Sequence, residues 1–298
     1  MVLGEPGLVL TTATRRAAVL GSPISHSLSP ALHSAAYRAL GLTNWSYGAH
    51  EVRSPALPAF VTGLGAEWAG LSLTMPLKEA AFEVADEVSD LARQVGAINT
   101  LVRTPDGGWR GENTDVYGIS QALREAGCTH VTSSIVLGSG ATARSVVAAL
   151  AMLGCQRVTF AVRSAARPET LDRARRAGLE VDVVGLADFA DGVGDAPVVV
   201  STLPADAPAD RMLPEGSRLQ GHFLLDVVYA DWPTPLARVF EEAGASVVSG
   251  FEMLVHQGAA QVHLMTGLVA PVEPMRVAGL AAMAARRAMA ARDAMELP

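Results

Sequence analysis

The sequence predicts an α/β protein in two parts, closed by helices at the C-terminal end. Three observations carry that prediction. The chain has 298 residues, 50% of them hydrophobic, a length that suggests roughly two domains. Aromatic residues make up only 5%, and the abundant Ala, Val, Leu and Gly suit helices packed closely on a parallel sheet. Between residues 17 and 249, strand-like runs alternate with helix-like ones, which implies parallel pairing with helices on both faces.

The elements follow in order. Residues 17–21 read as a strand, and residues 30–40 as a helix with Ser29 at the N-cap, Pro30 at the first helical position and Gly41 just past the end. A strand at 45–50, a helix at 57–64 and a strand at 70–74 come next. Pro76 opens a further helix, residues 88–95 another, and residues 115–125 a helix ending near Gly127. A second series starts with a buried strand at 134–137 and a helix at 141–153 that stops at Gly154. Strands at 157–162, 181–184, 198–201 and 222–227 follow, with a helix at 169–177 before Gly178. A helix at 235–243, capped by Gly244, precedes the strand at 245–248. From Gly250 onward the pattern is helical and rich in Ala and Met, with no strands, so those helices are expected to pack back on the first part. Residues 1–14 have no clear pattern and read as a loose lead.

Composition excludes several classes. The formal net charge is −7, and the largest basic cluster, Arg173 to Arg176, belongs to a mixed-charge helix, which argues against nucleic acid. Cys128 and Cys155 have neither metal spacing nor a disulfide framework, and free thiols suit a reducing cytoplasm. Glu5 and Pro6 interrupt any signal-peptide pattern, and no apolar run is long enough to cross a bilayer. No His/Cys/Asp cluster has ligand spacing, so no metal is expected, and His26, His33, His256 and His263 read as structural.

Four places carry chemistry. In Gly21-Ser22-Pro23-Ile24-Ser25-His26-Ser27-Leu28-Ser29-Pro30, the hydroxyls of Ser27 and Ser29 sit before a helix start, where unsatisfied N–H groups and a partial positive charge favour a small carboxylate. The plain alternative makes Ser29 a cap and Ser27 a turn residue. The run Ile135-Val136-Leu137-Gly138-Ser139-Gly140-Ala141-Thr142-Ala143 matches the dinucleotide fingerprint in its form ending in Ala, with Gly138 for the tight turn, Gly140 for pyrophosphate approach and Ala143 for close helix packing. That makes the second part a Rossmann-type domain. About 20 residues later an NAD site would carry an acid. The chain offers Arg163, Ser164 and Arg167 instead, which suit the 2′-phosphate of NADP, the alternative being a solvated basic turn. Lys78, in a first helical turn where the dipole disfavours cations, and Asp115, at another helix start, would form an acid/base pair if they meet. A surface lysine and an N-cap aspartate are the alternatives.

These motifs together resemble shikimate dehydrogenase. The resemblance rests on the Ser27/Ser29 segment, on Leu73-Thr74-Met75-Pro76-Leu77-Lys78, on Ala97-Ile98-Asn99-Thr100 with Asn113-Thr114-Asp115, and on the glycine loop. Asp226-Val227-Val228-Tyr229, Pro233-Thr234-Pro235-Leu236 and Gly250-Phe251-Glu252-Met253-Leu254-Val255-His256-Gln257 add to it, in order from Ala17 to Gly267. It implies reversible reduction of 3-dehydroshikimate to shikimate with NADPH. Ser27 and Ser29 would bind the carboxylate, Thr74, Asn99 and Gln257 the ring hydroxyls, and Tyr229 would line the site. Lys78 and Asp115 would be the catalytic pair. Gly138, Ser139, Gly140, Ala141, Thr142, Ala143, Arg163, Ser164, Arg167, Thr202, Val227, Gly250 and Met253 would form the cofactor site. The implied division is a substrate domain of residues 1–115 completed by 250–298, and an NADP domain of 116–249.

Departures from the family pattern fall at Ser72 and Ser34, where Asn is common, at Val162 before the cofactor arginine, at the loop Ser201-Thr202-Leu203-Pro204, and at Val262 and Met265, where aromatic residues are common. None removes a proposed catalytic group. Quinate as substrate, a sensor that binds NADP without turnover, and a homodimer made by the Ala-rich C-terminal helices remain open.

Overall fold

The computed structural model describes residues 14–204, 213–214, 216–230 and 232–296; the lead read over residues 1–14 lies outside them except for Thr14. Two six-stranded sheets form the frame. The first contains β1 (Arg15–Gly21), β2 (Trp45–Glu51), β3 (Trp68–Leu73), β4 (Glu87–Val88), β5 (Thr100–Arg103) and β6 (Trp109–Glu112) in the order β2-β1-β3-β5-β6-β4. Helices α1 (Ser29–Ala39), α2 (Leu57–Thr62), α3 (Leu77–Ala80) and α4 (Asp90–Val95) connect them, and α5 (Asp115–Glu125) leads away. The second sheet contains β7 (Ser133–Leu137), β8 (Arg157–Val162), β9 (Glu180–Gly185), β10 (Val198–Ser201), β11 (Phe223–Asp226) and β12 (Ser246–Ser249). Helices α6 (Ala141–Met152), α7 (Pro168–Arg176) and α8 (Pro235–Glu242) pack on it, and α9 (Gly250–Thr266) and α10 (Val272–Glu296) close the chain.

The second sheet is parallel throughout, ordered β12-β11-β10-β7-β8-β9. Its strand order reverses between β7 and β10, the switch point where open α/β sheets bind ligands. Its central strands are apolar runs: Ile135, Val136 and Leu137 face Val199, Val200 and Ser201 in the neighbouring strand. One face is sealed by Val146, Val147 and Leu150 of α6 with Ile119 and Leu123 of α5. The other is sealed by Leu236 and Phe240 of α8 with Phe189.

The first sheet departs from the all-parallel expectation. β1 pairs parallel with β2 and β3, but β5 runs antiparallel to both β3 and β6. The sequence reading assigns none of β4, β5 and β6, and Val88, read into a helix, lies in β4. Their turn, Thr104-Pro105-Asp106-Gly107-Gly108, carries the residues a tight reversal needs. One face of this sheet is covered by α2 and α3 through Leu57, Val61 and Leu77. The other is covered by α1, α9 and α10 through Leu32, Tyr37, Val255, Val262 and Met275. The C-terminal helices thus return to the first sheet.

Two helix starts also correct the sequence reading. Ser29 is not an N-cap: Leu28 takes that position in helical conformation, with no side-chain cap. Instead the Ser29 N–H donates to Ser27 Oγ at 3.3 Å. The helix after Pro76 is a single turn of four residues, too short for a substantial dipole, so dipole repulsion is not what marks Lys78.

Helix α5 lies between the sheets and touches both α6 and α9. The α5–α9 crossing is close at Gly118, where a Cβ would stand 2.6 Å from the Met253 carbonyl oxygen and 3.1 Å from the Gln257 N. Gly118→Ala gains about 1 kcal/mol of helix propensity, but the atoms it meets include backbone, and overpacking costs about 1–3 kcal/mol. The expected outcome is a lower urea midpoint with an unchanged slope. A raised midpoint would show that the two helices separate freely.

Candidate active site

The strands place the functional groups along one edge of each sheet. β1 ends at Gly21 before the loop with Ser27, and β3 ends at Leu73 before Thr74 and Lys78. Asn99 stands at the entry of the antiparallel β5, on the same edge, and its carbonyl accepts from Leu73 N at 2.7 Å. β6 ends at Glu112 and leads to Asp115. In the second sheet β7 ends at the glycine loop, β8 at Arg163, β10 at Thr202 and β11 at Val227.

Between the two edges lies a cavity of about 280 Å³. The structure brings Ser27, Ser29, Thr74, Lys78, Asn99, Asp115, Tyr229 and Gln257 to its wall, together with Thr142, Val227, Gly250 and Met253. The other residues expected to hold a cofactor do not line it. Gly138, Ser139, Gly140, Arg163, Ser164, Arg167 and Thr202 instead follow the ends of β7, β8 and β10, and Ala141 and Ala143 lie in the first turn of α6, Ala143 buried in the core.

Lys78 Nζ donates to Asp115 Oδ2 at 2.6 Å, with the side chains 16% and 5% exposed. Lys78 is thus largely buried against Asp115, and the N-cap of α5 is Thr114 rather than Asp115. Asp115 Oδ1 accepts from Asn99 Nδ2 at 2.8 Å. The Asn99 amide is fixed from its other end, because the Thr114 backbone N–H donates to Oδ1 at 2.8 Å. A backbone N–H only donates, so Nδ2 must face Asp115. Gln257 Oε1 lies 3.4 Å from the same Nδ2. The carboxylate therefore meets an ammonium on one oxygen and an amide on the other, which offsets the cost of burying it.

At the far end of the cavity Ser27 and Ser29 face inward, and burial raises the Tyr229 phenol above its ordinary value, against the opposing charge of Arg286. Arg286, from α10, donates to the carbonyls of His26 and Ser27 at 2.6 and 2.8 Å. It is a cation beside the serine loop that the sequence reading misses, since nothing local links position 286 to position 27.

The glycine loop suits a diphosphate. Gly138 has φ +96°, and a Cβ there would lie 2.7 Å from Thr202 Oγ1, while Thr202 itself bonds Leu137 O through its N–H and hydroxyl. Gly140 has open space where a Cβ would be, and the start of α6 has no side-chain cap, leaving its N–H groups available to an anion. Ser139 ties the loop to α7, accepting from Arg167 N and Thr170 Oγ1. The Arg163 and Arg167 side chains reach solvent at the end of β8, and neither guanidinium has a partner among the described residues.

Below the cavity lies a buried polar layer the sequence reading also misses. Tyr47, Ser72, Gln261 and His33 form it, and His33 stacks on Tyr47 at 3.9 Å. Burial lowers the His33 imidazole from 6.5 to about 3, opposed by its bond to Gln261. The unfolded chain therefore takes up the additional proton between about pH 6.5 and about 3. Stability from this group is complete above about pH 6.5 and is lost as pH falls toward 3, by up to ~1.4 kcal/mol per pH unit. Urea midpoints of the parent should fall more steeply from about pH 6.5 to about pH 4 than those of His33→Gln. Equal slopes would mean that His33 is not held neutral.

Comparison with known proteins gives consistent matches. Residues 19–101 match the model described as shikimate dehydrogenase substrate binding domain, and residues 250–278 the model described as shikimate 5'-dehydrogenase C-terminal domain. A shikimate dehydrogenase (NADP(+)) of Synechococcus sp. (strain JA-2-3B'a(2-13)) is 36% identical over 90% of this chain and 96% of its own length. The crystal structure of a shikimate 5-dehydrogenase from Mycobacterium fortuitum aligns with a TM-score of 0.80 at 48% identity, covering 89% of this chain and 97% of that one. That of the Thermus thermophilus shikimate 5-dehydrogenase in complex with NADP(H) and shikimate aligns at 0.76 and 33% identity, covering 90% and 100%.

Proposed function

Because the chain belongs to the shikimate dehydrogenase family, we propose that it catalyses the NADPH-dependent, reversible reduction of 3-dehydroshikimate to shikimate. The observation that carries this reading is the Lys78–Asp115 pair, seated between a serine-lined pocket end and the glycine loop. The proposed division is a substrate domain of residues 1–115 completed by 250–298 and an NADP domain of 116–249, with the cavity between them.

Each residue has a definite task. Ser27 and Ser29 donate hydroxyl hydrogen bonds to the substrate carboxylate, and Arg286 adds positive charge to the same loop. Thr74 and Gln257 hold ring hydroxyls, Asn99 joins them by exchanging the hydrogen it gives Thr114 Oγ1 at 2.9 Å for a ring hydroxyl, and Tyr229 closes the carboxylate end. The nicotinamide supplies the hydride in reduction and accepts it in oxidation. Lys78 uses one N–H on Asp115 and keeps two others, one of which donates its proton to the developing alkoxide. Asp115 holds the ammonium in place and accepts from a ring hydroxyl. In the reverse direction neutral Lys78 takes that proton back. Gly138 to Ala143 and the start of α6 cradle the diphosphate, with Thr202 beside them. Val227, Gly250 and Met253 meet the nicotinamide, and Arg163, Ser164 and Arg167 take the 2′-phosphate. The buried free thiols Cys128 and Cys155 suit a cytoplasmic enzyme. A homodimer through the exposed Val277 and Leu280 of α10 is part of the proposal, read by sedimentation.

Shikimate and quinate oxidation, each with NADP and NAD, tests the assignment at the nicotinamide absorbance band; activity with neither acid would refute it. Lys78→Ala should lower turnover by about 10²–10⁴-fold with a much smaller change in KM. Asp115→Asn should lose a similar amount, and the double variant less than the product of the two, since paired groups act as a unit. Turnover above about a third of the parent in Lys78→Ala would remove the lysine from the chemistry.

Arg163→Ala should raise KM for NADP by about 30- to 150-fold, the worth of a charge-assisted bond of roughly 2–3 kcal/mol. KM for NAD should stay nearly constant, because NAD lacks the phosphate. If the ratio of kcat/KM for the two cofactors does not change, other residues hold the 2′-phosphate.

A further inference from the structure

Gln261 lies on α9 one turn beyond Gln257, lines the cavity floor and is 1% exposed. Its amide has no capacity left for substrate. Oε1 accepts from Ser72 Oγ at 2.7 Å and faces His33 Nε2 at 3.3 Å. Nε2 donates to Asn99 O at 3.3 Å and to Thr100 Oγ1 at 3.0 Å, which uses both of its hydrogens.

The direction of every bond in this layer is forced. Asn99 O is a carbonyl and can only accept, so the Gln261 NH₂ group must face it and Oε1 must face Ser72. Ser72 then donates to Gln261, and the Tyr47 hydroxyl donates to Ser72 at 2.6 Å. Thr100 Oγ1, having accepted from Gln261, donates to Asn99 Oδ1 at 2.9 Å. Asn99 Nδ2 donates to Asp115 Oδ1 at 2.8 Å. The chain runs one way, from Tyr47 through Ser72, Gln261, Thr100 and Asn99, and ends on the carboxylate that holds Lys78. Hydrogen bonds aligned in one direction polarise and strengthen one another.

We propose that Gln261 is a positioning residue for the reaction: its amide holds the backbone carbonyl of Asn99 and the hydroxyl of Thr100, so that the Asn99 side chain is held against Asp115 and the Lys78–Asp115 pair stays in register with the substrate. It acts through Asn99 and does not contact the substrate. The inference rests on the proposed reading of Lys78 and Asp115 as the acid/base pair.

Gln261→Glu tests the direction of the chain, because it keeps the shape and replaces the donor with an acceptor opposite Asn99 O. At about pH 8 its kcat for shikimate oxidation should fall about tenfold or more, the worth of roughly one hydrogen bond, with KM for shikimate changed less than about threefold. The ratio of variant to parent kcat should recover as pH is lowered from about 9 to about 5.5, because a protonated glutamic acid donates again. Gln261→Met should show a low ratio that does not vary with pH. A Gln261→Glu variant that keeps more than about half the parent kcat at about pH 8, or a KM that rises more than kcat falls, would overturn the proposal. Should Gln261→Glu fail to fold, Thr100→Val removes the hydroxyl that passes the bond from Gln261 to Asn99; a several-fold loss of kcat at constant KM supports the proposal and no loss overturns it. A crystal structure of Gln261→Glu at the same pH reads the geometry independently of turnover. The 2.8 Å Asn99–Asp115 bond should be lost, and its survival would overturn the proposal. A parent enzyme inactive on shikimate would instead defeat the functional reading and leave this structural outcome to decide the role of Gln261.

Discussion

The ion pair between Lys78 and Asp115 is the constraint around which the molecule is organised. Its charges come from opposite directions: Lys78 from the turn after β3, Asp115 from the start of α5. Both are largely withdrawn from water, so each would be costly without the other. Bringing them to 2.6 Å requires α5 to wedge between the two sheets, and that wedge requires α9 to lie closely against it at Gly118. Because α9 begins at Gly250, beside the end of β11, and carries Gln257 and Gln261 farther along, the same close packing fixes the cavity floor. A side chain at 118 would therefore disturb packing and chemistry together.

The second requirement is that the glycine loop be held at a fixed distance from that pair. Two arginines do this from the second sheet's helices. Arg144, in α6 directly after Ala143, is 5% exposed; it pairs with Glu79 next to Lys78 and donates to Gly96 O at 3.1 Å. Arg173 of α7 donates to Arg93 O and Gln94 O. These are carbonyls at the end of α4, which the helix itself leaves unsatisfied and which attract cations. A helix end of the first sheet is thus capped by side chains of the second. The segment that follows it, Ala97-Ile98-Asn99, is anchored by the Ile98 N–H on Lys78 O at 2.8 Å.

How much of this the sequence discloses depends on how local each determinant is. The parallel sheet is legible because its strands are short apolar runs, several of them bounded by glycines, and the boundaries of β8 and β10 agree with the expectation residue for residue. The hairpin of β5 and β6 is not, since Arg103 and Arg110 break the apolar alternation and only the Pro-Asp-Gly-Gly turn marks it. Ser29 misleads because a serine before a proline looks like a cap; Leu28 is already helical, which moves the first turn one residue earlier. Lys78 stands out in the sequence on the dipole of a helix that is only one turn long, and its pairing is explained by Asp115 instead. Gln261, Arg286 and Arg144 are not legible, because each acts on a partner distant in sequence and no local pattern announces it.

The charge distribution also resolves an apparent conflict. A chain of formal net charge −7 acts, on the proposed reading, on an anionic substrate with an anionic cofactor. Net charge acts through solvent over distances at which salt screens it, since the Debye length is about 8 Å at physiological ionic strength. Binding is decided within that length. There Asp115 is matched by Lys78, and Glu79 by Arg144. Among the described residues, what remains unmatched near the two ligand ends is positive: Arg286 on the serine loop, and Arg163 with Arg167 beyond the glycine loop. The N–H groups at the start of α6 add partial positive charge between them. On the proposed reading the anions are drawn to two separate ends of one cleft, carboxylate to the serines and 2′-phosphate to the arginines. On the same reading, that separation orients both ligands and leaves the reacting carbon beside Lys78, the only ammonium among the cavity-lining residues described.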